Sequence, residues 1–440
     1  MAVRGSYTAL NILPGSTGIP ELIVDLVSIT ILPVEIDYFE VNGEIVTNAG
    51  LPFAIPPVID PGEQVFESSQ IHVALSGDLQ LDQTDPLHVA VVGHITGLQH
   101  EFRVELSGAK MPESIRFGPL PRQPSVEEAL AQHPFLRQNL NRSNTLVIPP
   151  GTWDVTGDLI LPSGVNLQVS TGVTLRFSTG SILYSSGAVD LLGEPNASIS
   201  LTGQDDGGWG GIIISNADNF SHWEYAIIEK TTGINRNGWT LTGGITFFKS
   251  NIYLDHVLLG NNQTEDALNV IHSSFQFFNS TFHNTYADAF DGDFSNGVIE
   301  NCTFSNISGD AVDLSGAKVE ILDTKMEHIC DKGVSAGEES EVTATNIHIS
   351  DVGIGVASKD LSRVILRQSS ISNARFSALS AFIKKPVYGP AWLDAQEVTI
   401  LDTETPTVAQ KGSTILIDGQ KVETVDLDVD RLYTEGILGN

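Results

Sequence analysis

Three short phrases in this sequence could carry acid–base or metal chemistry: Asp266-Ala-Leu-Asn269, Asp288-Ala-Phe-Asp291 and Asp310-Ala-Val-Asp313, each 22 residues after the one before. If these segments fold as strands, alternation turns Leu268, Phe290 and Val312 inward and Asn269, Asp291 and Asp313 outward. Asp293 and Ser315, two residues further on, share the outer face. Copies stacked at strand spacing would set Asp291 about 5 Å from Asp313, and Asp293 roughly 7 to 8 Å from Asp313 on the diagonal. Like charges held that closely repel. They coexist when a proton is shared, when a cation lies between them, or when a base neutralises them.

Each remedy implies a chemistry. A shared proton gives one acid and one base, and the wider separation suits an inverting glycoside hydrolase with room for a water. A Ca²⁺ ion ligated by Asn269, Asp291, Asp293 and Asp313 suits a polysaccharide lyase in which the metal offsets uronate charge. Such a lyase also needs a base, for which Lys332, one repeat beyond Asp310, is the first candidate and Lys359 the second. Neighbouring carboxylates raise a lysine's pKa and oppose that role. The catalytic candidates are therefore Asp291, Asp293, Asp313, Lys332 and Lys359. Asp266, Asp288 and Asp310 fall at a bend, where Asp accepts backbone N–H bonds, and are expected to form a turn ladder.

The elements that must position these groups follow from the period. Looser copies occur at Lys332-Gly-Val-Ser335 and Ile354-Gly-Val-Ala357, and a second phrase gives Phe282, Phe304 and Met326, each three residues after Asn279, Asn301 and Asp323. A 22-residue period without heptads, rich in β-branched residues, Gly, Asn, Asp and Ser, means one supersecondary unit stacked on itself. The unit is too short for a helical hairpin and lacks a leucine-rich framework, so each repeat predicts one solenoid coil of three short strands. The Asn/Asp series predicts a turn ladder and the Phe/Met series a core stack.

These repeats resemble the right-handed parallel β-helix proteins, the superfamily of pectin- and alginate-degrading enzymes and phage tailspikes, over roughly Asn144 to Asp402. The Asp-Ala-hydrophobic-Asp phrases resemble those of polygalacturonases, whose His-Gly and Arg-x-Lys signatures have no match here. The Asp-Pro-His-Glu signature of mannuronan epimerases is absent as well. A Ca²⁺-dependent lyase with stacked Asp ligands and a Lys base is the nearer likeness. The resemblance implies an all-β fold and a polysaccharide partner.

Composition bounds the rest. At 440 residues and 41% hydrophobic, the chain has room for two or three domains and a large core. A net charge of -31, from 23 Lys and Arg against 54 Asp and Glu, argues against nucleic acid held by basic contacts. No apolar run is long enough to span a bilayer. Cys302 and Cys330 fall at different phases of the repeat and are expected to be unpaired. Met1-Ala-Val-Arg-Gly opens the sequence without the apolar stretch of a signal peptide.

Residues 1–118 carry short alternating runs separated by Pro, Gly and Asn-Gly turns, which predict an Ig-like β-sandwich with a packing or spacer role. Residues 119–143 form a linker and capping helix, opened by the capping box Ser125-Val-Glu-Glu128 and running to about Leu140. The helix would cover the first coil of a β-helix over 144–402. Residues 403–440 predict a hairpin at Thr414-Ile-Leu-Ile-Asp-Gly-Gln and a closing helix over Val429–Leu438. Trp209, Trp223 and Trp239 suit packing in the coils or at their edges, with sugar-stacking surfaces, Trp239 among them, as the alternative. Lys384, Lys385 and Tyr388, where Pro386 and Pro390 break the pattern, offer contacts to a substrate carboxylate. Glu338, Glu339 and Glu341 suit a solvated loop, with an extension of the acidic groove as the alternative.

The expected protein is thus a secreted or cell-surface, monomeric β-helix acting on a polysaccharide, with Ca²⁺ as its candidate cofactor. Its rival is a non-catalytic module for surface adhesion or assembly, in which the Asp columns only satisfy turns.

Overall fold

The computed structural model describes residues 3–10, 21–28, 34–46, 51–55, 69–74, 88–96, 101–108, 122–236 and 239–434. The chain divides into two compact units, Met1–Pro112 and Glu113–Asn440.

The described strands of the first unit join into one eight-stranded sheet, seven along a single hydrogen-bonded path with Phe53–Ile55 pairing beside it on Val34–Val41. A two-residue parallel contact between Val3–Leu10 and Glu101–Gly108 links the two halves of the path. Its core gathers Leu22, Val24 and Leu26 with Ile36, Phe39, Val73 and Val91. Strand Val3–Leu10 opens the unit and pairs antiparallel with Glu21–Ser28.

In the second unit the capping box forms as expected. Ser125 Oγ accepts from the Glu128 N–H and the Glu128 carboxylate accepts from the Ser125 N–H. The helix covers only Val126–Gln132, not the stretch to Leu140. Pro134 cannot continue it, and Arg137–Gln138 instead pairs antiparallel with the first coil strand, Thr145–Ile148. Ala129, Phe135 and Leu136 are buried in the same core as the coils.

From Thr145 onward the chain winds into a parallel β-solenoid of about 12 turns. A complete coil is Ser274–Phe278, Thr281–Thr285 and Asp288–Asp293, three strands separated by corners of two residues. The next coil lies on it with an offset of 22: Phe275 pairs with Gly297, Phe282 with Phe304 and Phe290 with Val312. From Lys325 two of the three strands fuse, giving Lys325–Gly337, His348–Lys359 and Ser370–Phe382. The stack runs on past Asp402, since Thr414–Ile417 pairs parallel with Trp392–Gln396 before turning back on Gln420–Lys421 through Asp418 and Gly419.

In-register pairing from coil to coil makes interior and corners into columns. Phe282, Phe304, Met326, Ile349 and Ile371 occupy successive levels of one inner column. The Phe282 and Phe304 rings stack with centroids 4.7 Å apart and planes 9° from parallel, both fully buried. At the corners, Asn279, Asn301 and Asp323 adopt left-handed backbone, which Asn and Asp tolerate better than most residues. Asn301 Nδ2 donates to Asn279 Oδ1 at 2.6 Å and Asn279 Nδ2 to Asp255 Oδ1 at 2.7 Å. Buried hydroxyls close the neighbouring corner N–H groups: Ser250 Oγ accepts from Ala217, Ser273 Oγ from Ser250, and Ser340 Oγ from Ala317. Cys302 and Cys330 are both unpaired, the first buried at a corner and the second exposed.

Truncating the stacked ring, Phe304→Ala, should cost about 3–5 kcal/mol of unfolding free energy through the cavity it leaves between Phe282 and Met326. Chemical denaturation of the variant beside wild type measures it; a cost under about 1 kcal/mol would contradict the column.

Candidate active site

The outer face of the strands Asp266–Ile271, Asp288–Asp293 and Val312–Ser315 holds three adjacent columns. Asn269, Asp291 and Asp313 pair level by level, continuing to Ser335. Ile271, Asp293, Ser315 and Gly337 form the next column. Asp266 and Asp288 start the third, at the bend where each strand begins. There the expected turn ladder is present, with Asp288 Oδ1 accepting from the Asp310 N–H at 2.6 Å and Asp310 Oδ1 from the Lys332 N–H at 2.8 Å. The same side chains go further than satisfying turns. One carboxylate oxygen each of Asp288, Asp310 and Asp313 lies within 4.8 Å of the others.

Buried lysines meet this charge from the next two coils. Lys332 Nζ lies 2.6 Å from Asp331 Oδ2 and 3.4 Å from Asp310 Oδ1, and its side chain is 4% exposed. Lys359 Nζ lies 3.7 Å from Asp313 Oδ1. Burial acts to discharge both ammonium groups, but Asp310 beside Lys332 and Asp313 beside Lys359 outweigh it, so both pKa values are raised. At neutral pH they are cations and cannot accept a proton. The base role expected of them is therefore opposed by their own surroundings. Lys384 behaves oppositely: burial, reinforced by Lys359 and Lys332, lowers its pKa.

The carboxylates divide in the same way. Burial pushes Asp291 and Asp288 well above the usual range, and nearby carboxylates add to it. Asp266, buried and adjoining Asn269 and Thr242, is pushed up to about 7, and Asp293 to about 6, mainly by burial and then by Asp313 and Glu338. Asp310 also rises through burial, against the pull of Lys332. Asp313 stands apart. Burial acts on it too, but Lys359 and Lys332 prevail and hold it below the ordinary carboxylate range, while 28% of its side chain stays exposed. One carboxylate held ionised thus sits among carboxylates whose pKa values are raised.

Three of the four side chains expected to ligate Ca²⁺, Asn269, Asp291 and Asp313, have other partners. Asn269 is buried, and its Nδ2 donates to Asp266 Oδ2 at 3.3 Å and Asp291 Oδ2 at 3.1 Å. Asp313 Oδ1 accepts from the Leu314 N–H at 3.0 Å. The trio of Asp288, Asp310 and Asp313 is the more convergent set of oxygens.

Some participants were not visible in the sequence. Asp331 pairs with Lys332. Glu338, expected in a solvated loop, accepts from Ser315 Oγ at 2.8 Å and is paired with Lys385, leaving its side chain 10% exposed. Tyr433, on the short helix Val429–Thr434, places its ring 4.3 Å from Lys384 Nζ, with its hydroxyl buried. A period search finds only residues at one phase, whereas these arrive from a corner and from the chain's end. The Lys384–Lys385 segment is fixed by Asp360 Oδ1, which accepts both backbone N–H groups at 2.7 and 2.6 Å. Tyr388 N–H donates to Lys385 O in the following turn. Trp209 and Trp223 are fully buried, with their indole N–H groups on Glu229 O and Val189 O. The Trp239 side chain lies outside the described residues, as do residues 435–438 of the expected closing helix.

Residues 266–385, the stretch containing this site, match the protein-family model described as "Right handed beta helix region". The solenoid is a right-handed parallel β-helix. Solved structures similar to this β-helix chain include an alginate lyase from Paenibacillus sp. str. FPU-7, at 10% identity over 56% of this chain and 93% of that one, TM-score 0.28. Others are a periplasmic alginate epimerase, at 10% identity over 68% and 83%, TM-score 0.32, and the catalytic unit of an α-1,3-glucanase from Streptomyces thermodiastaticus strain HF3-3, at 12% identity over 97% of each, TM-score 0.28. No curated protein matches the sequence. Among the described residues, no helix is long and apolar enough to cross a membrane.

The protonation pattern has a thermodynamic consequence. Asp266 ionises at about 7 when folded and at about 3.9 when unfolded, so its contribution to stability is complete below about pH 4 and is lost as pH rises through about 7. The melting temperature should fall from about pH 5 to about pH 8. Asp266→Asn, which keeps the shape and removes the titration, should make that slope shallower; an unchanged slope would show that Asp266 does not bind a proton on folding.

Proposed function

We propose that this protein is a polysaccharide-active enzyme that hydrolyses glycosidic bonds with inversion, using Asp293 as general acid and Asp313 as general base. The observation that carries this is the contrast between two outward carboxylates on adjacent coils: Asp293, pushed up to about 6, and Asp313, held ionised by Lys359 and Lys332. Groups whose surroundings separate their pKa values in this way can divide the acid and base work between them. Asp293 pairs in register with Ser315, so it lies on the diagonal from Asp313, a separation of roughly 7 to 8 Å. That falls within the span of roughly 6.5–9.5 Å that leaves room for a water.

In this mechanism Asp293 gives its proton to the glycosidic oxygen as the bond to the anomeric carbon breaks. Asp313 takes a proton from the water that attacks the opposite face of the sugar. Lys359 stabilises the ionised Asp313 and does not exchange its own proton. A polymeric glycan as substrate goes with a protein that works outside the cytoplasm or at the cell surface.

One observation favours a second reading, β-elimination on a uronate polymer. Lys384, whose pKa is lowered by burial and by Lys359 and Lys332, is a better base than either of those lysines. The two cationic lysines would offset the uronate charge. Asp288, Asp310 and Asp313 are the set that could hold Ca²⁺, which would supply the same offset.

The hydrolase reading predicts a bell-shaped dependence of kcat/KM on pH, whose alkaline limb falls at about 6 as Asp293 loses its proton. Asp313→Asn should lower kcat by at least about a hundredfold, and should lower the melting temperature as well, because the buried Lys359 loses its ion-pair partner. Reducing-end release without ultraviolet-absorbing product identifies hydrolysis. An unsaturated uronate product abolished by Lys384→Met would replace it with the lyase. No turnover of any glycan would return the strip to the adhesion or assembly role.

A further inference from the structure

The acidic strip has an aromatic edge that the acid–base chemistry does not use. Each outward strand on this face ends in a corner residue with left-handed backbone: Lys249 at φ 48°, His272 at 49°, Phe294 at 47° and Gly316 at 60°. The corners stack, with His272 N–H on Asp293 O at 2.9 Å and Phe294 N–H on Ser315 O at 2.7 Å. Above them the rings form a strip. His272 and Phe294 lie with centroids 5.0 Å apart and planes at 18°, and Phe248 meets the other side of His272 edge-on at 6.3 Å.

Phe294 is costly in two independent ways. The residue is 57% exposed, so most of its apolar surface stays in water, and it holds a left-handed backbone that a bulky side chain disfavours. Other corners of the same solenoid use Asn, as at Asn279, Asn301 and Asn346, where the amide also links coil to coil. The next coil accommodates the ring: a Cβ on Gly316 would stand 2.8 Å from Phe294 Cδ1. Strain and exposure kept together at one position mark a functional site more often than a structural one. Here the position immediately follows Asp293 in the chain. On the other rim Tyr286, 69% exposed, lies two residues before Asp288.

We infer that Phe294, backed by His272, is a sugar-binding platform on which the apolar C–H face of one pyranose ring of the polysaccharide stacks beside Asp293. An aromatic face suits that partner because it offers dispersion and quadrupole attraction to C–H groups without competing for the hydroxyls. The placement also divides the labour. The carboxylates act on the bond, and the ring fixes where the neighbouring sugar lies. This inference rests on the polysaccharide reading of the strip.

The test measures binding apart from turnover, in the Asp313→Asn background, by calorimetry with soluble polygalacturonate, alginate and α-1,3-glucan oligosaccharide. A glycan bound by Asp313→Asn should bind about tenfold more weakly when Phe294→Asn is added, and Phe294→Tyr should restore it. Because Asn suits the left-handed corner, Phe294→Asn should melt at the same temperature or higher, which a merely structural ring would not permit. Equal affinity with and without Phe294→Asn overturns the platform and leaves the hydrolase standing. A fall of several degrees in melting temperature without rescue by Phe294→Tyr also overturns it. Absence of binding to all three glycans, with no turnover, removes both.

Discussion

Everything in the solenoid depends on one constraint: backbone pairing between coils sets each residue on its counterpart one coil further along, 22 residues on through the acidic strip. Asp291 lies on Asp313 for the same reason that Phe282 lies on Phe304. For rings this is favourable, since like surfaces bury one another. For carboxylates it is not, because two charges at strand spacing and out of water cannot both persist unaided. The chemistry of the outer strip is the response. Burial keeps protons on Asp266, Asp288 and Asp291, and lysines from the next coils neutralise Asp310 and Asp313. An ionised Asp313 amid carboxylates of raised pKa follows from where Lys332 and Lys359 enter the stack.

The fold was legible because the repeat writes itself into the sequence twice, once in the core and once at the corners. Phe282, Phe304 and Met326 gave the inner column, and Asn279, Asn301 and Asp323 the turn ladder, at the levels where both are found. The outward columns were legible for the same reason, including the level pairing of Asn269, Asp291 and Asp313. Boundaries were less so. Pro134 ends the capping helix sooner than its amphipathic pattern suggested, and the stack continues beyond Asp402 after the regular period has lapsed.

What the sequence did not show is what reaches the strip from outside its period. Glu338 has the composition of a solvated loop, yet a left-handed corner turns it inward to Ser315 and Lys385. Tyr433 lies more than a hundred residues from Asp310, and nothing in either segment announces the other. The protonation states were hidden for a related reason. Lys332 and Lys359 occupy plausible phases for a base, but whether a lysine is base or counter-ion depends on charges within a few ångströms.

The serine ladder at the corners bears on how such a protein can lengthen. Ser250, Ser273 and Ser340 each answer an N–H in the coil before, so a coil inserted by gene duplication arrives with its polar groups already matched to both neighbours. Duplication of the Asp288–Asp293 coil would be different, because it would add carboxylates to a face where protons and two lysines already hold the balance. The corners are therefore open to growth by copying, whereas the strip admits a new coil only together with a further bound proton or cation, and its length is set by charge and not by packing.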